Sequence, residues 1–306
     1  MDKCRYLDLL SLPTEELLAR ANKIRKERIG QNLEMCGIIN AKSGSCSEDC
    51  KFCAQSAHHH TDIPVYSLKN KEEIVMAART ALKNGAHRFG IVTSGNRLTS
   101  DEIALIADSI RQILKEVNIE ICASLGELNK EAFFALKEAG LTRYHHNIET
   151  SERFYPEIVT THSFHDRVNT VACAKDAGLE VCSGGILGIG ETWQDRIDMA
   201  CTLKELKVDS VPMNFLVPVK GTPFETRGKM SAIDAIRSIA IFRIILEHIT
   251  IKVAAGRETV LKDFQSMMYT AGANGMMVGG YLTVQGRSPE EDQHLIEEIK
   301  RLWNNE

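Results

Sequence analysis

Asn84-Gly-Ala-His-Arg-Phe-Gly-Ile-Val-Thr93 closes one helix and opens one strand within a single short stretch. Gly85 follows a helical run, where a glycine readily adopts the left-handed conformation that stops a helix. The apolar run Arg88–Thr93 comes directly after it. The same punctuation recurs at Ala139-Gly140 and Ala177-Gly178, each leading within a few residues into another apolar run. This is the rhythm of βαβ units.

Working outward, strands are predicted at Glu34–Ala41, Arg88–Thr93, Ile119–Leu125, Arg143–Ile148, Glu180–Leu187, Ser210–Leu216, Thr250–Ala254 and Gly275–Val278. Each is followed by a helix-like run: Lys71–Asn84, Ser100–Glu116, Lys130–Ala139, Phe164–Ala177, Thr192–Leu206, Ala232–Glu247, Glu258–Ala271 and Pro289–Trp303. Eight such pairs without a long polar linker predict an α/β fold, a single (βα)8 TIM barrel. A doubly wound open sheet would need about six strands and a break in the alternation; neither is seen. Residues 1–30 read as two short helices, with Thr14 as the cap of the second. The expected organisation is therefore one domain over 1–306: a helical extension (1–30) and the barrel (31–306).

Hydrophobic residues make up 43% of the 306-residue chain and charged residues 25%, the balance of a globule with a full core. A net charge of −4 gives no broad attraction for nucleic acid or anionic membrane. No apolar run approaches a membrane span and no leader is recognisable, so the expectation is a cytoplasmic protein.

Three cysteines, Cys46, Cys50 and Cys53, are spaced C-x3-C-x2-C in the longest predicted loop, just after the first strand. Loops at the C-terminal ends of barrel strands are where chemistry sits. An iron–sulfur cubane takes four thiolates, so three close together leave one iron open to something other than protein. Zinc is the alternative, with a fourth ligand from His58, His59 or His60. A disulfide framework suits neither the chain length nor a reducing compartment.

Of the six other cysteines, Cys4, Cys173 and Cys201 fall in helical segments and read as small buried hydrophobes. Cys36, Cys122 and Cys182 lie on the first, third and fifth predicted strands. Inward residues of alternate strands share a layer in a barrel, so these three are able to converge in its lumen; the alternative is three independent core cysteines.

The C-x3-C-x2-C loop, with Phe52 between its last two cysteines, resembles the radical S-adenosylmethionine (SAM) superfamily. Further stretches resemble the biotin synthase family within it: Tyr144-His-His-Asn-Ile-Glu-Thr-Ser151, Val181-Cys-Ser-Gly-Gly-Ile-Leu-Gly-Ile-Gly-Glu-Thr192, Ser210-Val-Pro-Met-Asn-Phe-Leu216, Lys220-Gly-Thr-Pro223, Ala255-Gly-Arg-Glu258 and Ala271-Gly-Ala-Asn274. The resemblance implies that Cys46, Cys50 and Cys53 hold a [4Fe-4S] cluster whose fourth iron takes SAM. Arg167 matches the residue that reaches the SAM carboxylate. Glu149 matches the acid bonding the ribose hydroxyls, where aspartate is the commoner choice, and Asn147 lies in the same motif. Ile186 and Val217 match the apolar residues flanking adenine. The implied substrate is dethiobiotin, with Asn147 and Asn214 matching the asparagines near its ureido ring. Asparagine offers donor and acceptor together, as a urea requires. Thr283 is placed near the carboxylate, and His145 stands where the family has a third asparagine. An electron donor such as flavodoxin or ferredoxin, and a homodimer, follow from the same resemblance.

The chain departs from its best-known relatives at a second iron–sulfur cluster, the sulfur donor. Cys122 and Cys182 match two of its ligands, but Gly90 stands in place of the third cysteine and Lys252 in place of the arginine. Two readings stay open. Either Cys36, Cys122 and Cys182 hold a different auxiliary cluster, with one iron not bound by cysteine and able to carry a transferable sulfide. Or the site is lost and the protein is a non-sulfurating radical SAM maturase or mutase. A metal-binding module without catalysis would not need the Glu149/Arg167 pair.

Overall fold

Side-chain caps set where most of the helices begin, and so how each loop leaves its strand. The computed structural model describes residues 3–283 and 286–304. Its strands are β1 (Glu34–Lys42), β2 (Arg88–Thr93), β3 (Glu120–Ser124), β4 (Arg143–His145), β5 (Glu180–Cys182), β6 (Gly185–Leu187), β7 (Ser210–Phe215), β8 (Thr250–Val253) and β9 (Gly275–Met277). Between them run α2 (Lys71–Lys83), α3 (Ser100–Glu116), α4 (Lys130–Glu138), α5 (Phe164–Asp176), α6 (Trp193–Glu205) and α7 (Ala232–Ile245), after α1 (Thr14–Arg28) at the start. Asn70, Thr99, Ser163 and Thr192 each close a capping box with a carboxylate three residues on. Each such cap is worth about 1 kcal/mol.

All strand pairs are parallel, in the order β5-β4-β3-β2-β1-β9-β8-β7-β6. The pairing of Cys182 in β5 with Ser210 in β7 closes the ring. β5 and β6 are two halves of one stave, so the barrel has eight staves, as the alternation predicts. The stave breaks at Ser183-Gly184 because β7 comes too close there. A β-carbon on Gly184 would lie 2.0 Å from the Pro212 carbonyl oxygen.

The structure corrects three local expectations. Glu258–Ala271 is not one helix but α8 (Arg257–Val260), a 3-10 turn (Lys262–Phe264) and α9 (Met267–Thr270). Lys262 has φ 46°, and the fully buried Arg257 guanidinium pulls the segment inward, donating to Gln265 Oε1 (2.6 Å) and Asp292 Oδ2 (2.6 Å). Asp292 belongs to α10 (Pro289–Asn304). Thr14 is the first residue of α1 rather than its cap; Pro13 takes the cap position. The Thr14 hydroxyl instead accepts from Arg237 Nη1 of α7 at 2.9 Å. Cys201 is fully buried, but Cys173 is exposed on α5 and is not a core residue. The side chain of Cys4 lies outside the described residues.

Among the described residues no helix is long and apolar enough to cross a membrane.

Candidate active site

The loop from Ser43 to Asn70 carries Cys46, Cys50 and Cys53 at the C-terminal mouth of the barrel. It is folded by its own main chain: Cys46 N donates to Gln55 O (3.0 Å), Ala57 N to Cys46 O (2.7 Å) and Cys53 N to Cys50 O (2.9 Å). His59 Nε2 lies 3.0 Å from Cys50 O and His58 Nε2 2.9 Å from Ser47 O, so one nitrogen of each ring is engaged by the loop backbone. Asp49 pins the loop to the far side of the mouth, accepting from Thr160 N (2.9 Å) and Thr161 Oγ1 (3.2 Å). A polar cavity of about 340 Å³ opens beside it, lined in part by Lys42, Ser45, Glu48 and Asn96.

The three thiols stand close enough to feel one another. Burial pushes Cys50 up, and Cys53 and Glu149 push it further; burial and the Cys46 and Glu149 charges carry Cys53 to about 11. Bare thiolates packed this way are unfavourable, and a cationic metal relieves that cost. Three thiols in one loop at the barrel mouth suit a cluster that takes each thiolate on a separate iron and leaves one iron open.

Next to the cysteines, the segment after β4 carries Asn147 and Glu149. Glu149 has φ 66° and is held there by β-type pairing: its N donates to Gly184 O (3.1 Å) and its O accepts from Ile186 N (2.9 Å). Arg167 of α5 donates through Nε to Asn147 O (2.7 Å) and through Nη2 to Glu149 Oε1 (3.4 Å). Burial raises the Glu149 carboxyl, and Arg167 opposes the rise. Asn147 Oδ1 accepts from Gly184 N (3.1 Å), and its Nδ2 reaches Glu149 Oε2 (3.3 Å). The predicted trio of Asn147, Glu149 and Arg167 is thus one connected group beside Cys50.

Ile186 and Val217 are half-buried at the ends of neighbouring staves. Asn214 uses much of its amide on the fold, accepting from Ala255 N (3.1 Å) and donating to Gly185 O (3.2 Å). One N–H is left for a ligand. Thr283 is exposed, in a segment tethered by Asn40 Nδ2 to Leu282 O (3.1 Å) and by Tyr281 Oη to Glu258 Oε1 (2.8 Å).

Deeper in the lumen, Cys36, Cys122 and Cys182 are all buried. Lys252 Nζ lies 3.2 Å from Cys36 Sγ and 2.9 Å from Glu34 Oε1. Burial opposes the Cys182 thiolate, but Lys252, a hydrogen bond from His145 and Arg143 together draw this thiol down; Cys122 is pushed up by burial and by the Cys182 charge. His145, on β4, hydrogen-bonds Cys182 and lies within the electrostatic reach of Glu149.

Below the cysteines is a layer that the motif reading missed. Glu34 accepts from Arg143 Nη1 (2.7 Å) and Lys252, while Arg143 Nε also donates to Glu180 Oε2 (2.9 Å), and Arg88 pairs with Glu120 and Glu180. Burial would raise the Glu34 carboxyl, but Lys252 and Arg143 hold it at about 2. The signal was present in the sequence: Glu34, Glu120 and Glu180 each stand two residues before a lumen cysteine, on the same face of the strand. Tyr155 was also missed. Its hydroxyl is buried without a partner, within the electrostatic reach of Arg167, Glu149 and Cys50.

The family models match this layout in two pieces, the Radical SAM superfamily over residues 42–203 and the Biotin and Thiamin Synthesis associated domain over 212–300. Biotin synthase of Thermotoga petrophila is 53% identical over 296 residues, covering 96% of this chain and 98% of its own. That of Geobacter sulfurreducens is 46% identical, covering 98% and 92%. The chain belongs to the biotin synthase family. Biotin synthases are radical SAM enzymes, and a [4Fe-4S] cluster and SAM come with the family. Solved structures agree on the fold. Methylornithine synthase superposes with a TM-score of 0.83 at 21% identity, covering 97% of this chain and 92% of its own. The FeFe-hydrogenase maturase HydG from Carboxydothermus hydrogenoformans does so at 0.80 and 20%, covering 94% and 71%.

Proposed function

We propose that this chain is a radical SAM sulfurtransferase that converts dethiobiotin to biotin, drawing sulfur from an auxiliary iron–sulfur cluster held by Cys36, Cys122 and Cys182. The observation that carries the reading is that one barrel holds two cysteine sets, one in the loop at its mouth beside the Asn147–Glu149–Arg167 group and one buried in its lumen around Lys252. A relative that does not insert sulfur has no use for three buried thiols gathered around one lysine.

Cys46, Cys50 and Cys53 would hold the [4Fe-4S] cluster, which with SAM supplies one-electron cleavage and a hydrogen-abstracting radical. The chain's own residues then bind and orient. Arg167 presents a planar cation to the SAM carboxylate, Glu149 accepts from the ribose hydroxyls, and Ile186 and Val217 flank the adenine. Asn147, the free N–H of Asn214 and His145 face the ureido ring, and Thr283 lies toward the acid tail. The closed barrel keeps water from the radical and fixes both carbon–hydrogen bonds near the sulfur source. Neither Gly90 nor a charged Lys252 is able to ligate iron, so a cluster held by Cys36, Cys122 and Cys182 would have one iron without a cysteine.

We read the whole chain as one domain, because the segments matched by the two family models contribute staves to the same ring. We assign it to the cytoplasm, where reduced thiols are maintained, as a homodimer served by a flavodoxin or ferredoxin. The test is anaerobic incubation of the iron- and sulfide-reconstituted protein with dethiobiotin, SAM and a reductant. Biotin and 5′-deoxyadenosine are both expected. Deoxyadenosine without biotin overturns the sulfurtransferase reading.

A further inference from the structure

Lys252 crosses the lumen in a way that an ordinary buried lysine does not. Its stem runs over β9 at Gly275, where a β-carbon would lie 2.6 Å from Lys252 Cγ and 2.7 Å from Glu34 O. Only a residue without a side chain leaves that path open. At its end, Nζ donates to Glu34 Oε1 at 2.9 Å and to Cys36 Sγ at 3.2 Å. An ammonium has three N–H donors and no lone pair. Two donors are therefore used, and iron ligation through Nζ is closed as long as Glu34 keeps the charge in place. Glu34 is itself braced by Arg143 at 2.7 Å.

The three buried cations here are not equivalent. The side chains of Arg88, Arg143 and Lys252 are only 5%, 6% and 7% exposed. Arg88 and Arg143 pair with the more exposed Glu120 and Glu180 as well as with Glu34. Among the described residues Lys252 pairs with Glu34 only, and it turns its remaining N–H groups toward sulfur. Three cysteine sulfurs share the lumen. The electrostatic reach of Lys252 extends to Cys182 and Cys122 as well as Cys36.

We propose that Lys252 is the fixed cation of the auxiliary site: a positioning residue that donates hydrogen bonds to the anionic sulfur gathered by Cys36, Cys122 and Cys182, and does not ligate iron. This rests on the auxiliary-cluster reading above. It changes the meaning of the arginine-to-lysine replacement. The lysine does not fill the missing ligand position but neutralises and orients what occupies it. A charge held this close to a cluster favours the more negative, reduced state, since a fixed cation interacts more strongly with the larger anionic charge.

The experiment uses the full-length chain with Cys46, Cys50 and Cys53 all replaced by alanine, so that only the auxiliary site remains to be loaded. Iron and sulfide per chain and the midpoint potential of the remaining cluster are measured in this parent and in K252M, K252Q and K252R. K252M and K252Q are expected to move the potential to lower values, and K252R to return it toward the parent. Loss of iron in K252M that K252R restores supports the same role. An unchanged potential in K252M and K252Q at parental iron content overturns the lysine's role and leaves the cluster reading standing, as does loss of iron in all three variants. A parent that binds no iron overturns both.

Discussion

Gly185 and Glu149 approach so closely that a β-carbon on Gly185 would lie 2.1 Å from the Glu149 carbonyl oxygen. This contact between β6 and the segment after β4 holds Glu149 at φ 66° and turns its carboxylate toward Arg167. Gly185→Ala must therefore push the two staves apart, at a cost on the order of 2 kcal/mol. Thermal unfolding is expected to shift down, and SAM affinity, measured by equilibrium binding to the reconstituted protein, to fall by more than the stability loss accounts for. An alanine variant with unchanged SAM affinity would show that the close approach is packing alone.

Arg167 spends Nε on Asn147 O and Nη2 on Glu149, a fork that lysine is unable to reproduce. Arg167→Lys keeps the charge and loses the geometry. The expected result is a SAM affinity lower by about tenfold, the equivalent of one lost charge-assisted hydrogen bond, with the iron content of the cysteine loop unchanged. Equal affinity for the two proteins would remove Arg167 from the binding site.

The two remaining classes of cysteine should separate cleanly. Cys36→Ala is expected to lower iron per chain, to abolish biotin formation and to leave 5′-deoxyadenosine release in place. Cys173→Ala, on the exposed face of α5, is expected to change none of the three. Biotin formation by Cys36→Ala at the parental level removes Cys36 from the donor site.

Asp195 links α6 to the loop behind Glu149, accepting from Ser151 Oγ at 2.6 Å and from Arg153 Nε at 3.0 Å. Burial opposes its charge, but Ser151, Thr192 and Arg153 hold it at about 2. An unfolded aspartate titrates near 4, so the folded state binds the proton less readily. The stabilisation is complete above about pH 4 and is lost as the pH falls toward 2. Asp195→Asn is expected to lower stability by on the order of 2 kcal/mol near neutral pH. In urea titrations the gap between the two proteins should close below about pH 4; a gap that stays constant on acidification contradicts the assignment.

Much of this was legible in the sequence because it is local. The glycine stops at Gly85, Gly140 and Gly178 and the regular return of apolar runs dictate the barrel, and the spacing of Cys46, Cys50 and Cys53 dictates a shared loop. Arg88–Thr93 and Ser100–Glu116 have the predicted bounds because periodicity and capping act within one element. The break of Glu258–Ala271 was not legible, because it depends on where Arg257 finds Asp292 in a helix that follows much later. Cys173 was misjudged because one turn of helix does not say which face a cysteine takes when apolar and polar neighbours alternate around it.

By itself, then, the sequence determined the eight βα units, the cysteine loop and, through its family motifs, the chemistry to be expected. Only the tertiary structure decided what surrounds the three deeper cysteines. Lys252 and Cys36 are 216 positions apart, and Arg143 and Glu34 are 109 apart. Their contact requires β9 to pair with β1 and β5 with β7. Local propensity sets whether a strand forms and which residues share its face. Which strands then meet across the lumen, and at what height, follows from the closure of the ring, a property of all eight staves at once.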